Sequence, residues 1–346
     1  MADTADAALD AADLLLRERG RSASFDAWVV AAIPLGAGAA FALADGSIRL
    51  MDEAGAVRTV AAHDGACLAA VADADGGVLS GGDDGRLVAT GPDGTVTELS
   101  RFKGKWVEHV AAHPGLRGKG GFRAAAAGRQ VHVWRDGRAR VLDHPATVAG
   151  VATDAKGRRI AAAHYGGASL WWAASEGAAR ALAWKGSHTG VVLSPDASHV
   201  VTAMQENSLH GWRLADGQDM RMSGYPAKTR SMAFTANGKW LATSGAESVV
   251  LWPFFGGGPM GKAPRELMGG DAALCSAVAC HPQSDVVAAG WSDGLVAMAE
   301  LASERTVPLA APGRGAVSAI AWSVDGARLA FGTETGFAAL IDLSRR

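Results

Sequence analysis

The sequence predicts an all-β chain of repeated four-stranded sheets stacked radially about one axis. Three observations lead there. One pattern recurs along the 346 residues: an apolar strand, a polar turn, a small-residue strand, an Asp/Gly-type turn, then a strand ending near Trp. The 45 glycines and 12 prolines mark more turns than a helix bundle tolerates. Asp45-Gly46, Asp84-Gly85 and Asp293-Gly294 are tight-hairpin signals, because Gly accepts a positive φ. A four-stranded sheet has two apolar faces and cannot bury both alone, so such sheets stack on one another.

In chain order, Thr4 to Arg19 reads as a short helix, with Asp6 in its first turn, Arg17 and Arg19 in its last and Gly20 as its C′ residue. Repeat units follow at 29–52, 68–90, 109–136, 150–172, 190–214, 231–252, 276–298 and 319–343. The clearest are GVVLSPDASHVVTAMQENSLHGWRL (190–214), SMAFTANGKWLATSGAESVVLW (231–252) and AIAWSVDGARLAFGTETGFAALIDL (319–343). Their third strands start near residues 47, 86, 131, 168, 208, 248, 294 and 336, a spacing of roughly 37 to 46 residues. Eight units imply eight blades, with seven as the alternative count. Runs such as Ala69-Ala70-Val71 and Ala161-Ala162-Ala163 suit the crowded inner strands, and Trp134, Trp171, Trp212 and Trp252 the wider outer part. The last unit stops after Leu343 without its outer strand. Gly20 to Phe25 is expected to supply it and so close the ring, removing an exposed edge. The chain divides into residues 1–24, helix and closing segment, and 25–346, the repeats.

The period, the four short strands per unit and the Trp near the third strand's end resemble the WD40 repeat family, over about residues 27–343. Leu50-Met51-Asp52, Trp134-Arg135, Trp212-Arg213 and Leu251-Trp252 stand where that family has Trp-Asp, and His63 and His188 where it has its early His. The resemblance implies a closed β-propeller of four-stranded blades. It also implies a rigid, non-catalytic platform for protein–protein interaction. WD40 blades often carry a buried network of His, Ser/Thr, Asp and Trp. Carried over, it places His63, Ser80 and Asp84 in one blade and His188, Thr202 and Trp212 in another, as structural locks.

With 49% hydrophobic and 20% charged residues and a net charge of −2, the chain can bury a large core and is not a general polyanion binder. Three cysteines do not make a disulfide framework. The N-terminus carries Asp3 and Asp6 where a signal peptide needs positive charge, and no apolar run reaches the length of a membrane span. The expectation is a cytoplasmic chain, monomeric by itself, with no membrane association. Its Ala- and Arg-rich usage points to a GC-rich bacterial genome.

No nucleophile elbow, zinc-protease helix, P-loop or dinucleotide fingerprint occurs, and Asp83, Asp84 and Asp293 are accounted for as turn residues. The chain is therefore read as no enzyme and as needing no cofactor. Cys275, Cys280 and His281 are the one Cys/His cluster, but adjacent strand residues face opposite ways, so Cys280 and His281 do not share an ion.

Charge carries the functional expectation. Residues 101–140 are strongly basic, opposed only by Glu108 and Asp136. Arg117, Lys119 and Arg123 fall in or beside a first-to-second-strand loop, and Arg135 and Arg138 around a third-to-fourth-strand turn. Lys156, Arg158 and Arg159 occupy the equivalent first loop of the next blade. These loops emerge on one face, so a basic face of blades 3 and 4 is expected to dock an acidic protein partner. Nucleic acid is not expected, because no aromatic platform is interleaved with the cations. Phe254 and Phe255, in the Gly-rich loop at 253–265, are a second candidate anchor. The rival reading is a propeller enzyme or a small-ligand or metal binder at the central channel mouth.

Overall fold

The computed structural model describes residues 11–115, 119–269 and 272–344. Among them, helix α1 (Leu14–Arg19) is followed by thirty strands, β1 (Gly20–Ser24) to β30 (Phe337–Asp342). The first part of the expected helix, with Asp6, lies outside the described residues. Gly20 is not left-handed: its φ is −98° and its ψ 162°. Glycine is needed there for a different reason. A Cβ would lie 2.4 Å from the Leu16 carbonyl oxygen, so the chain leaves the helix and enters β1 in close contact with the last turn.

Every sheet is antiparallel and of propeller type; consecutive strands are neighbours in all of them except where β1 pairs with β30. The expected count of eight blades is corrected to seven: the strands form seven sheets, six of four strands and one of six. The repeats at 150–172 and 190–214 share that six-stranded sheet. The physical reason lies in β15 (Arg159–Trp172) and β16 (Arg180–Leu193), each 14 residues long. β16 pairs with β15 through residues 180–187 and with β17 (His199–Met204) through residues 188–193, so one continuous strand belongs to both repeats. β15 turns back at Gly166 and Gly167, with φ of 89° and 136°. Its ends lie side by side, the Ala173 N–H donating to the Arg158 carbonyl at 2.8 Å.

The chain forms two compact units. Unit 1 holds residues 1–59, 230–253 and 263–346. Its sheets pack face to face through apolar layers. Leu251, Val278, Val287 and Trp291 fill one layer, Leu309, Val317, Leu329 and Phe331 another, and Val29, Phe41 and Leu340 a third. β1 pairs with β30 in register from Gly20↔Ile341 to Ser24↔Phe337, supplying that sheet's fourth strand. Unit 2 holds residues 60–229 and 254–262. Its layers are built from Leu79, Leu87 and Val110, from Phe122, Val131, Leu142 and Ile160, and from Leu170, Leu182, Val200 and Trp212. Alanines such as Ala124 to Ala126 and Ala161 to Ala163 sit fully inside these layers, where neighbouring backbones approach closely. At the Asp84-Gly85 turn Gly85 has φ 75°, and a Cβ would lie 2.5 Å from the Phe102 carbonyl oxygen.

Among the described residues, no helix is long and apolar enough to cross a membrane.

Candidate interaction surface

The connections between first and second strands, and between third and fourth, leave an antiparallel meander at the same end. In unit 2 this end gathers loops of successive sheets. β6 (Cys67–Ala72) leads into the turn holding Asp73 and Asp75. β10 (His109–His113), β11 (Phe122–Ala127), β12 (Gln130–Arg135) and β13 (Arg138–Asp143) form the next sheet. Then β14 (Val148–Thr153) leads into the Asp154–Gly157 turn and β15. His113 ties two of these loops together, its Nε2 lying 3.2 Å from the Ala155 carbonyl.

The predicted cations divide into two groups. Arg123 is bound: its Nε and Nη2 each donate at 2.6 Å to the Asp73 carboxylate, and Nη2 also donates to Asp75 at 2.7 Å. The hydrogen bonds to Asp73 raise its pKa above the ordinary arginine value, with burial working against them. Arg135 pairs with Asp136 at 3.3 Å. These two pairs line a cleft of about 390 Å³ with Trp134 and Phe122, so its charges are largely balanced within the protein. Lys119, Arg138, Lys156 and Arg158 are exposed and make no ion pair among the described residues. Arg159 stacks on the Trp172 ring, its guanidinium carbon 4.5 Å from the centroid. Arg117 lies outside the described residues.

Phe254 and Phe255 part company. Phe254 is 6% exposed and is not available as an anchor. It meets His199 edge-to-face at 5.2 Å, while Arg213 donates to the Gly257 carbonyl at 3.2 Å. Phe255 is 45% exposed, with the Lys262 ammonium 4.8 Å over its ring. The same ammonium donates to the Gly258 carbonyl at 2.9 Å and to that of Phe255, holding the loop closed. Phe254→Ala is therefore expected to cost about 3 kcal/mol of stability, and Phe255→Ala less than about 1 kcal/mol. Paired urea titrations measure the difference.

The buried histidines lock turns. His63 Nε2 lies 2.9 Å from Ser80 Oγ and its Nδ1 3.1 Å from Asp84 Oδ1, while Asp84 also accepts from the Asp64 and Arg86 N–H groups at 3.0 Å each. Burial pushes the His63 pKa down, with Asp84 opposing. His188 Nδ1 lies 2.7 Å from Thr202 Oγ1 and its Nε2 3.3 Å from the Trp184 carbonyl. Trp212 meets this imidazole only as a tilted ring at 5.8 Å. The carbonyl thus stands where an Asp would otherwise orient the ring. His144, His164, His199 and His210 are buried as well, and nothing in the repeat pattern singles them out. His210 stacks on Trp184 at 3.9 Å, and His144 accepts from Trp171 Nε1 at 3.2 Å.

The Cys/His cluster is dispersed among separate partners. The Cys275 thiol faces the Ala277 carbonyl at 3.7 Å and the Cys280 thiol the Ala233 carbonyl at 3.3 Å. His281 Nε2 lies 3.1 Å from the Gly326 carbonyl, and its Nδ1 accepts from the Gln283 and Ser284 N–H groups at 3.1 Å each. Burial pushes both thiols up to about 12, far from the thiolate a metal binds. Among the described residues, no group of three His, Cys, Asp or Glu side chains is placed to hold a metal.

No family model matches the chain. No curated protein matches it either. Among solved structures, the chain is similar to the crystal structure of the computationally designed Ika8 protein, at 16% identity and a TM-score of 0.73, covering 92% of this chain and 97% of that one. At that identity the likeness speaks for the fold alone, a β-propeller.

Proposed function

We propose that this chain is a WD40-type, non-catalytic platform for protein–protein interaction. It works in the cytoplasm and docks an acidic partner on the loop end of the sheets at 109–143 and 148–172. One observation carries the reading: Lys119, Arg138, Lys156 and Arg158 are exposed, without ion-pair partners among the described residues, on neighbouring loops of one end. Cations that serve only solubility are commonly interspersed with acids, as Arg123 and Arg135 are here with Asp73, Asp75 and Asp136. A set left without counter-charges raises the local potential and steers an acidic surface toward it. Three buried histidines support a structural role for the sheets' polar groups: His63, His164 and His188 each face a hydroxyl inside the sheets, and His188 also a carbonyl.

The test is charge reversal. The variant K119E/R138E/K156E/R158E is expected to keep the wild-type melting temperature, because these side chains are exposed. It is also expected to lose at least about tenfold of the partner co-purified from nuclease-treated extracts, equivalent to about 1.4 kcal/mol. Wild-type recovery by the folded variant overturns the proposal.

A further inference from the structure

We propose that Trp172 is the anchor of this basic face and that it receives an apolar side chain carried within an acidic peptide segment of the partner. The inference rests on the docking reading above and specifies the partner's chemistry.

Trp172 is 52% exposed, although Leu170, two residues earlier on the same strand, is buried. It is also held in place. Arg159 covers part of the ring, and Arg140 Nη1 donates to the Trp172 carbonyl at 3.1 Å. The next residue is fixed by the bond from the Ala173 N–H to the Arg158 carbonyl. An aromatic ring whose backbone and one face are already ordered loses little entropy on binding. Trp and Arg are also the residue types that dominate interface energies. The open cations stand around this segment. Arg158 is bonded to it through the main chain. Arg138 lies two residues before Arg140 on β13 and so on the same side of that strand. Lys156 sits in the turn just before Arg158. Glu176 is the one exposed acid of the connection that follows Trp172.

A purely acidic segment would satisfy the cations but leave the ring in water. A purely apolar one would desolvate unpaired cations. An acidic segment with an apolar side chain satisfies both. A nucleic-acid strand fits less well. Single-strand binding uses successive rings as a platform. The other strongly exposed aromatics of unit 2 are Trp106, in the connection at 102–108, and Tyr165, beside the bend of β15 at Gly166 and Gly167, both at the opposite end of the sheets.

Fluorescence anisotropy with three labelled probes tests this: a short oligoglutamate, the same peptide with two Glu replaced by Leu, and oligo-dT of equal charge. The wild-type protein is expected to bind the Leu-containing peptide about tenfold more tightly than oligoglutamate, the worth of burying one such side chain. Trp172→Ala is expected to erase that preference while leaving oligoglutamate binding and the melting temperature unchanged. The triple variant R138E/K156E/R158E is expected to weaken both peptides. If the preference survives in Trp172→Ala, the anchor is overturned and the basic face stands. If the triple variant binds oligoglutamate as the wild type does, or the wild type binds neither peptide, the docking reading itself fails. Tighter binding of oligo-dT than of either peptide, lost in Trp172→Ala, overturns the peptide in favour of nucleic acid.

Discussion

Acidification from about pH 7 to pH 4 is expected to strip the protein of several kcal/mol of stability, through His144 and His210. His144 is 4% exposed and His210 0%. Burial pushes the pKa of His144 down to about 4, with the neighbouring His164 adding to the effect. Burial also pushes His210 down to about 4, although the Asp219 carboxylate 3.5 Å from its Nε2 works the other way. The His144 Nε2 accepts from Trp171 and cannot do so once protonated. In the unfolded chain each imidazole takes up its proton near the ordinary value of about 6.5. The folded state declines that proton until the pH nears 4, so the unfolded state binds more protons throughout this window. The contribution of both histidines is therefore complete above about pH 6.5, falls as the pH drops toward 4, and changes no further below it. Each is worth up to roughly 3 kcal/mol. Carboxylates held below their ordinary values, such as Asp84 and Asp196, act at lower pH and do not mimic the effect. His210→Phe keeps a ring against Trp184 and Trp212 and removes the titration. Burial also pushes His109 down to about 4 and lowers His63, His188 and His199, so urea midpoints across this window are expected to fall less steeply in that variant than in the wild type, by at most about a third. An unchanged slope would remove His210 as a cause.

Much of the architecture could be read from the chain because each repeat is locally encoded. The third strands observed at Ser47, Arg86, Gln130, Leu209, Val249, Val296 and Phe337 start within a few residues of the expected positions, because apolar alternation and Asp-Gly turns are properties of short segments. The His63, Ser80 and Asp84 contacts were legible through the family resemblance, and all three fall close together in the chain, within residues 63–84. What escaped the sequence depends on neighbours it does not bring close. The repeats at 150–172 and 190–214 join because β16 runs on from its pairing with β15 at residues 180–187 to its pairing with β17 at residues 188–193. A charge count over 101–140 sees Arg123 as free, whereas its carboxylates arrive from Asp73 and Asp75, 50 and 48 residues earlier in the sequence. Phe254 is buried by His199, a partner far along the chain, so loop composition alone could not separate it from Phe255. The sequence pattern singles out Trp171 and not Trp172, and only the structure shows the Trp172 ring open at the basic end.

Deleting residues 1–24 is the other change expected to be severe. β1 contributes five paired residues to the sheet of β30. The preceding helix buries Leu16 among Leu309, Phe331 and Ile341. Asp13 accepts from the Ala311 N–H at 2.6 Å and pairs with Arg314, whose Nη1 donates to it at 3.0 Å. Burial acts to raise the Asp13 pKa, and the Arg314 and Ala311 bonds outweigh it, leaving a carboxylate charged at neutral pH. Losing the Leu16 side chain costs about 2 kcal/mol, and each lost ladder bond about 1 kcal/mol. Together they approach the whole stability of an ordinary domain, about 5–15 kcal/mol. The deletion also leaves β30 as a bare edge strand, ready to pair with another copy. The truncated chain is expected to elute as soluble aggregate and to unfold at a markedly lower urea midpoint. A peptide spanning residues 11–25, added in trans, should restore the monomer. Gly336 offers a finer probe of the same junction. Its φ is +90°, and a Cβ there would lie 1.9 Å from the Phe25 carbonyl, directly after β1. Gly336→Ala must push that segment away and is expected to cost about 1–3 kcal/mol. A monomeric truncation with the wild-type midpoint would mean that the interior strands of the sheet hold β30 unaided, and that β1 only covers an edge already stable.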